Sequence, residues 1–237
     1  MVEETPDGDG VGTSGVEVRI SGTHFPVTTL GPGRRLGIWF QGCPLACPGC
    51  MSRHTWDPGG GRGAGLGELL DRWRAALDAG AEGLTVSGGE PLAQAAALSA
   101  LLEGARAVGR EAAAGGRPVD ILVYTGHTDA ELVAAPRLWE ALRHADAVVT
   151  GRYVAAEPTD LVWRGSANQR LRPLTELGRR RYGPHLERAA TGDTLQVVGS
   201  AAGGVLLYGV PRRGELAELE RRSRAAGIRL SDPSWRP

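Results

Sequence analysis

Residues 36–51 read LGIWFQGCPLACPGCM, and their reading decides what kind of chain this is. Leu36 to Phe40 is a compact apolar run that stops at a loop, which predicts a strand feeding that loop. Cys43, Cys47 and Cys50 follow as C-x3-C-x2-C, and they are the only three cysteines in the chain. An odd count so tightly bunched is a poor disulfide framework and reads as intracellular. Thiolates are soft ligands that suit zinc or an iron–sulfur cluster. A closed zinc site needs four ligands, and the fourth would be His54 or a more distant His. Three thiolates can instead hold a [4Fe–4S] cube by three corners and leave one iron open to another ligand. Ferredoxin-type clusters take four cysteines, so the missing fourth carries information.

Outward from this loop the pattern is strand and helix in alternation. Upstream, Val16–Ile20 predicts a short strand and Gly31-Pro32-Gly33 a turn; residues 1–15 are acidic and Gly-rich and are expected to be a frayed tail. Downstream, Gly59–Gly65 reads as loose chain. Leu66–Ala79 carries apolar residues at helical spacing, Gly83–Ser87 is a buried-type strand ending at Gly88-Gly89, and Leu92–Val108 is a second helix. Gly115-Gly116 punctuates, Val119–Tyr124 is a strand ending at Thr125-Gly126, and Thr128-Asp129 caps helical sequence that Pro136 interrupts. Ala147–Val149 is a further strand, ending at Thr150-Gly151. This order predicts an α/β fold with a parallel sheet and crossover helices, whose ligands bind at the carboxyl edge of the strands. Residues 163–188 are polar and Arg-rich, with a solvated face or a docking surface as the two readings. Leu195–Val198 and Val205–Val210 predict a hairpin around Gly203-Gly204, and Glu215–Ala226 a closing helix. Residues 189–237 are therefore expected to be a folded end of the domain, packed on residues 16–188 or extending their sheet.

Composition removes several functions. The 237 residues carry 27 basic and 27 acidic side chains, so no overall charge points to nucleic acid or an anionic membrane. Every basic residue is Arg. Without Lys there is no Schiff-base lysine, no Walker A lysine and no kinase strand lysine. No window approaches the ~18 apolar residues of a membrane span, and the first residues lack the pattern of a signal peptide, so the expected address is the cytoplasm. The five His are scattered without a metal-ligand partner in sequence, and none is assigned a catalytic role.

The cysteine spacing resembles that of the radical S-adenosylmethionine (radical SAM) superfamily, and its neighbours narrow the likeness. GPGRRLGIWFQGCPLACPGC (31–50) is similar to the cluster segment of the glycyl-radical-enzyme activases, and CPGC followed by Thr55-Trp56 to the anaerobic ribonucleotide-reductase activating proteins. Ser87-Gly88-Gly89-Glu90-Pro91, Val123-Tyr124-Thr125-Gly126 and LVWRGSANQ (161–169) stand in the order of that family's further motifs. The likeness covers roughly residues 16–175. Met51-Ser52 and Thr150-Gly151 depart from the family's usual Tyr-Asn and Asp-Gly, and the chain continues well past the Asn-Gln segment.

The resemblance implies a partial (β/α) barrel, open on one side, over residues 16–188. It implies one [4Fe–4S] cluster on Cys43, Cys47 and Cys50, with S-adenosylmethionine chelating the open iron by its methionine end. Reductive cleavage would give methionine and a 5′-deoxyadenosyl radical that abstracts hydrogen. Cofactor contacts implied in the same way are backbone at Gly49 and Met51 toward adenine, and Gly88 and Gly89 toward the methionine end. Glu90 would neutralise the methionine ammonium or fix the turn, Thr125 and Gly126 would reach ribose, and Asn168 would close over the cofactor. A side chain at Gly89 is expected to block the methionine end while leaving cluster assembly intact. The implied partners are a protein or peptide substrate, with a glycyl radical enzyme foremost, and a flavodoxin- or ferredoxin-type electron donor. Two alternatives stand beside this: a radical SAM enzyme of the same fold acting on a peptide or small metabolite, and a non-enzymatic iron–sulfur or zinc interaction protein.

Overall fold

The computed structural model describes residues 15–113, 118–199, 204–230 and 233–236. Most of the expected N-terminal tail, the Gly115-Gly116 break and Gly203 of the hairpin turn lie outside the described residues.

The frame is a seven-stranded mixed sheet. Its strands are β1 (Glu17–Val27), β2 (Arg35–Phe40), β3 (Arg62–Gly65), β4 (Gly83–Gly88), β5 (Asp120–Tyr124), β6 (Ala147–Thr150) and β7 (Arg170–Pro173), in the spatial order β3-β1-β2-β4-β5-β6-β7. The four central strands β2, β4, β5 and β6 are parallel, as the strand–helix alternation predicts. Antiparallel pairings flank them: β1 beside β2 with β3 beyond β1, and β7 beside β6. Two of these edges contradict the sequence reading. Residues 62–65, expected to be loose, form β3, and β7 lies in the stretch read as polar chain. Neither has apolar alternation to betray it. RGAG is held by backbone pairing to β1, and RLRP ends in a Pro that only an edge tolerates.

Helices α1 (Leu66–Asp78) and α2 (Ala95–Ala113) cover one face of the sheet. Leu66, Leu69, Leu70 and Trp73 of α1 and Leu98, Leu101 and Leu102 of α2 meet Ile38, Phe40, Leu84, Val86, Ile121 and Val123 in one buried cluster. Alternate residues of the same strands point the other way, so the second face carries Arg35 and Trp39 from β2, Thr85 and Ser87 from β4, and Leu122 and Tyr124 from β5. Two short helices, α3 (Asp129–Ala134) and α4 (Pro136–Glu140), divide at Pro136 as expected, and α3 starts with a capping box between Thr128 and Glu131. After β7, α5 (Glu176–Tyr182) returns across the amino end of the sheet, where Tyr182 is fully buried.

Strands β8 (Leu195–Gly199) and β9 (Val205–Gly209) pair antiparallel as a separate two-stranded sheet, followed by α6 (Glu215–Ala225). This unit does not extend the large sheet. It touches it by side chains: Gln196 Nε2 donates to Pro26 O at 2.8 Å, and Thr29 Oγ1 donates to Tyr208 O at 3.0 Å. The Tyr208 ring lies between His24 and Trp39, with centroids 4.6 Å from each.

Candidate active site

The carboxyl end of β2 runs straight into the cysteine loop. Phe40 is buried, and Gln41 then fastens the loop's return limb, its Nε2 donating to His54 O (3.1 Å) and Asp57 O (2.7 Å). Gly42 N and Cys43 N donate to Thr55 O (2.8 Å) and Trp56 O (3.0 Å), so the loop closes on itself like a short hairpin. Gln94, just before α2, locks this to β1: it accepts from Arg19 N and donates to Arg19 O and Gln41 O. Thr55 is buried and its hydroxyl donates to Ser52 O at 2.7 Å. The Thr55-Trp56 pair thus serves the loop's shape. Gln41 and Gln94 were not singled out in the sequence; a lone Gln beside a glycine or between alanines gives no signal of its own.

All three thiols are free and partly buried. Burial pushes Cys43 and Cys50 up from the ordinary thiol range. Backbone N–H groups of Leu45 and Ala46 oppose this at Cys43, and Ser52 N, 3.4 Å from Cys50 Sγ, opposes it there. Binding iron would displace those protons. Among the described residues no three His, Cys, Asp or Glu side chains converge as ligands of one ion. Three uncommitted thiols spaced around one loop fit a cube that offers each a different iron.

The Gly-Gly turn lies directly behind the loop. Gly89 N donates to Phe40 O (2.8 Å) and Glu90 N to Gly42 O (2.9 Å). Gly88 has φ +112°, and a Cβ there would run into the backbone of Phe40; a Cβ on Gly89 would run into the carbonyl oxygen of Gly42. The space these glycines leave is filled by backbone, that of β2 at Gly88 and that of the cysteine loop at Gly89. A branched residue at Gly89 would therefore displace the loop itself. This contact puts the loop, as well as the cofactor, at stake in such a variant.

Glu90 is 1% exposed. Its carboxylate accepts from Leu92 N (2.9 Å), Thr125 Oγ1 (2.9 Å) and Gly126 N (2.7 Å), tying the end of β4 to the end of β5. Burial raises its pKa. Of the two roles implied for Glu90, this geometry matches fixing the turn. The Thr125 hydroxyl is committed to Glu90 and to His127 N. Asn168 is exposed just before β7, its amide donating to Arg152 O beyond the end of β6 at 2.8 Å. The rest of its segment is built inward. Ser166 is fully buried and accepts from Val154 N, Gln169 clamps Gly165 N and Gly151 O, and Arg164 donates to Leu186 O at 2.6 Å. Trp163 adopts φ +61° and stacks near His185 at 4.7 Å.

A cavity of about 530 Å³ opens at the carboxyl edge of the parallel strands. Gly49, Cys50 and Met51 border it, with Trp39, Ser87 and Tyr124 from the strand ends. Of the sequence-predicted residues, these three of the cysteine loop reach the cavity; Gly88, Gly89, Glu90, Thr125, Gly126 and Asn168 stand behind or beside it. Tyr208 and Trp235 close its outer side and had no signal in the sequence beyond being aromatic. The Arg-rich stretch is largely paired within the chain: Arg172 with Asp129, Arg179 and Arg180 with Glu176, and Arg181 with Asp120.

Residues 29–172 match the family model described as a 4Fe-4S single cluster domain. The chain is 34% identical over 158 residues to the anaerobic ribonucleoside-triphosphate reductase-activating protein of Vibrio cholerae, a span of 64% of this chain and 96% of that protein. It is 30% identical over 143 residues to the protein of the same name from Enterobacteria phage T4, across 60% of this chain and 85% of the relative. A shorter stretch of 71 residues is 39% identical to pyruvate formate-lyase 1-activating enzyme of Escherichia coli, 29% of each chain. The chain belongs to the 4Fe-4S single cluster domain family of radical SAM activating enzymes, whose cofactors are a [4Fe–4S] cluster and S-adenosylmethionine. No helix among the described residues is long and apolar enough to cross a membrane.

Proposed function

We propose that this chain is an activase that removes hydrogen from a glycine of a partner glycyl radical enzyme, in a cytoplasmic setting with a flavodoxin- or ferredoxin-type electron donor. The observation that carries the reading is the placement of Cys50 on the wall of the cavity at the strands' carboxyl ends. When bound, the cluster and S-adenosylmethionine supply reductive cleavage of the sulfonium and a carbon radical that takes a hydrogen atom. Cys43, Cys47 and Cys50 would hold the cluster. Gly49 and Met51 would border the cofactor, and Gly88 and Gly89 would keep the loop close to β4. Glu90, through Thr125 and Gly126, would keep the ends of β4 and β5 in register beneath it, and Asn168 would join the rim.

Helices on one face and a lumen-like second face support the partial (β/α) barrel for residues 16–188. Its amino end is plugged by Arg35, Asp120 and Tyr182, and its carboxyl end is left hollow. Residues 189–237 would be an integral cap on that hollow end. One observation favours a second reading, in which the substrate is a peptide or small metabolite: the cavity's outer wall comes from residues beyond the family match. Anaerobic reconstitution should give about four irons and four sulfides per chain and release 5′-deoxyadenosine with a reductant. A glycyl-radical doublet in the electron paramagnetic resonance spectrum of an added partner enzyme supports the activase. Zinc at one equivalent without iron uptake would sink both readings.

A further inference from the structure

Residues beyond 172 lie outside the family match, yet they reach back to the cysteine loop. Ser234 Oγ donates to Met51 O at 2.6 Å, and Arg53 Nη1 donates to Arg236 O at 2.6 Å. Between these two bonds stands Trp235, whose indole N–H donates to Glu220 of α6 at 2.7 Å and so has a fixed orientation. Arg236 pairs with the same Glu220. Trp235 and Tyr208 line the cavity that Gly49, Cys50 and Met51 border from the other side.

A cofactor whose amino-acid end bound iron held by these thiols would extend from the cysteine loop, and the cavity beside Cys50 is open to its remaining length. That remaining length is an adenosyl group with a flat aromatic purine. Aromatic walls with few, fixed polar groups are what such a ligand needs. The observed volume is in the range of a single small-molecule site.

We propose that the C-terminal segment is a cofactor-linked cap, in which Trp235, held to the cysteine loop through Ser234 and Met51, walls the adenosyl end of S-adenosylmethionine, so that cofactor binding and cap docking strengthen each other. The inference rests on the radical SAM reading. Linkage makes it reciprocal: a cap that tightens the cofactor is itself tightened by it.

The test uses the full chain, anaerobically loaded with its cluster, and has two readouts apart from turnover. S-adenosylmethionine affinity is measured by equilibrium dialysis for wild type, Trp235→Ala and Trp235→Phe, with iron content measured beside it. Trp235→Ala should weaken binding about tenfold and Trp235→Phe only about two- to threefold, the pattern of a lost and a reduced aromatic contact. In wild type, saturating S-adenosylmethionine should slow tryptic cleavage at the exposed Arg221 and Arg222 of α6. This second readout stands even where Trp235→Ala loses iron. Wild-type affinity in an iron-replete Trp235→Ala chain overturns the proposal, as does cofactor-independent cleavage of α6. A cluster-loaded wild type that binds no S-adenosylmethionine overturns the radical SAM reading itself, and the cap proposal with it.

Discussion

Two buried carboxylates stand at opposite ends of the parallel strands, and the chain treats them differently. Asp120, at the amino end, is fully buried and meets charge with charge. Arg35 Nη2 lies 2.7 Å and Arg181 Nε 2.6 Å from its oxygens, and the Tyr182 hydroxyl donates to it. Arg35 is itself completed by Thr85, Leu84 O and Pro32 O. Glu90, at the carboxyl end, is buried as deeply but meets only two backbone N–H groups and one hydroxyl. Paired charge fills the amino end. At the end that holds the thiols and the cavity, the carboxylate organises backbone, and its charge is left without a bonded cation, which is why burial raises its pKa.

The sharpest way to separate the two ends is to remove a thiol. Changing Cys43, Cys47 or Cys50 to Ala should reduce iron from about four per chain to near zero and abolish S-adenosylmethionine cleavage. The apoprotein should keep its unfolding free energy to within about 1 kcal/mol, because only a partly buried thiol is lost. Loss of the fold would show that the loop supports the sheet and not only the cluster.

Asp120→Asn should do the reverse. It leaves Arg35 buried with its main counter-charge gone, a change that costs about 3–5 kcal/mol for a broken buried pair. Urea unfolding should show this, while the protein that remains folded takes up a normal cluster. A loss below about 1 kcal/mol would mean that the Thr85 hydroxyl and the carbonyls around Arg35 suffice without the charge of Asp120.

Gly89→Val belongs between these extremes, since it acts where the loop and the sheet touch. The new side chain meets the Gly42 carbonyl, which is backbone and cannot swing away. Overpacking of this kind costs about 1–3 kcal/mol, and iron content should fall with it. Full iron content with weakened S-adenosylmethionine binding would restore the reading in which this glycine faces the cofactor.

How much of this was legible in the sequence differs between the ends in the same way. The central strands and their helices were legible because buried parallel strands are short apolar runs between turn residues, as in Leu36–Phe40 and Gly83–Ser87. The capped start of α3 was legible because Thr128-Asp129 precedes helical sequence, and the structure adds Glu131 as the other half of the cap. The cysteine loop was legible because three soft ligands in eight residues have few other uses. The plug at the amino end was not. Arg35 is one arginine among 27 basic residues, and nothing local marks it as fully buried beside an aspartate 85 positions away. Edge strands β3 and β7 were illegible because backbone pairing holds them without an apolar pattern. The cap's two strands were legible, but the contact of Tyr208 with His24 and Trp39, and of Ser234 with Met51, joins positions far apart in the chain.

The smallest effect sharpens the contrast most. Glu90→Gln keeps the shape of the side chain and removes its charge. An amide oxygen in place of Oε1 still accepts from Leu92 N and the Thr125 hydroxyl, but the amide nitrogen then faces Gly126 N, a donor against a donor. One unsatisfied buried N–H costs about 1–3 kcal/mol, and removal of a buried charge offsets part of it. The sign of the pH dependence follows from the raised pKa. A carboxyl that holds its proton more tightly when folded gives stability that is full below its ordinary unfolded value of about 4.3 and is lost as pH rises through the higher folded value. The Gln variant has no such loss. Its deficit relative to wild type should therefore be largest near pH about 4 and shrink toward pH about 7. Urea unfolding of the two apoproteins across that range measures it. A deficit that grows with pH would mean that the ionised Glu90 stabilises the fold, and that the carboxyl end is as well matched in charge as the amino end.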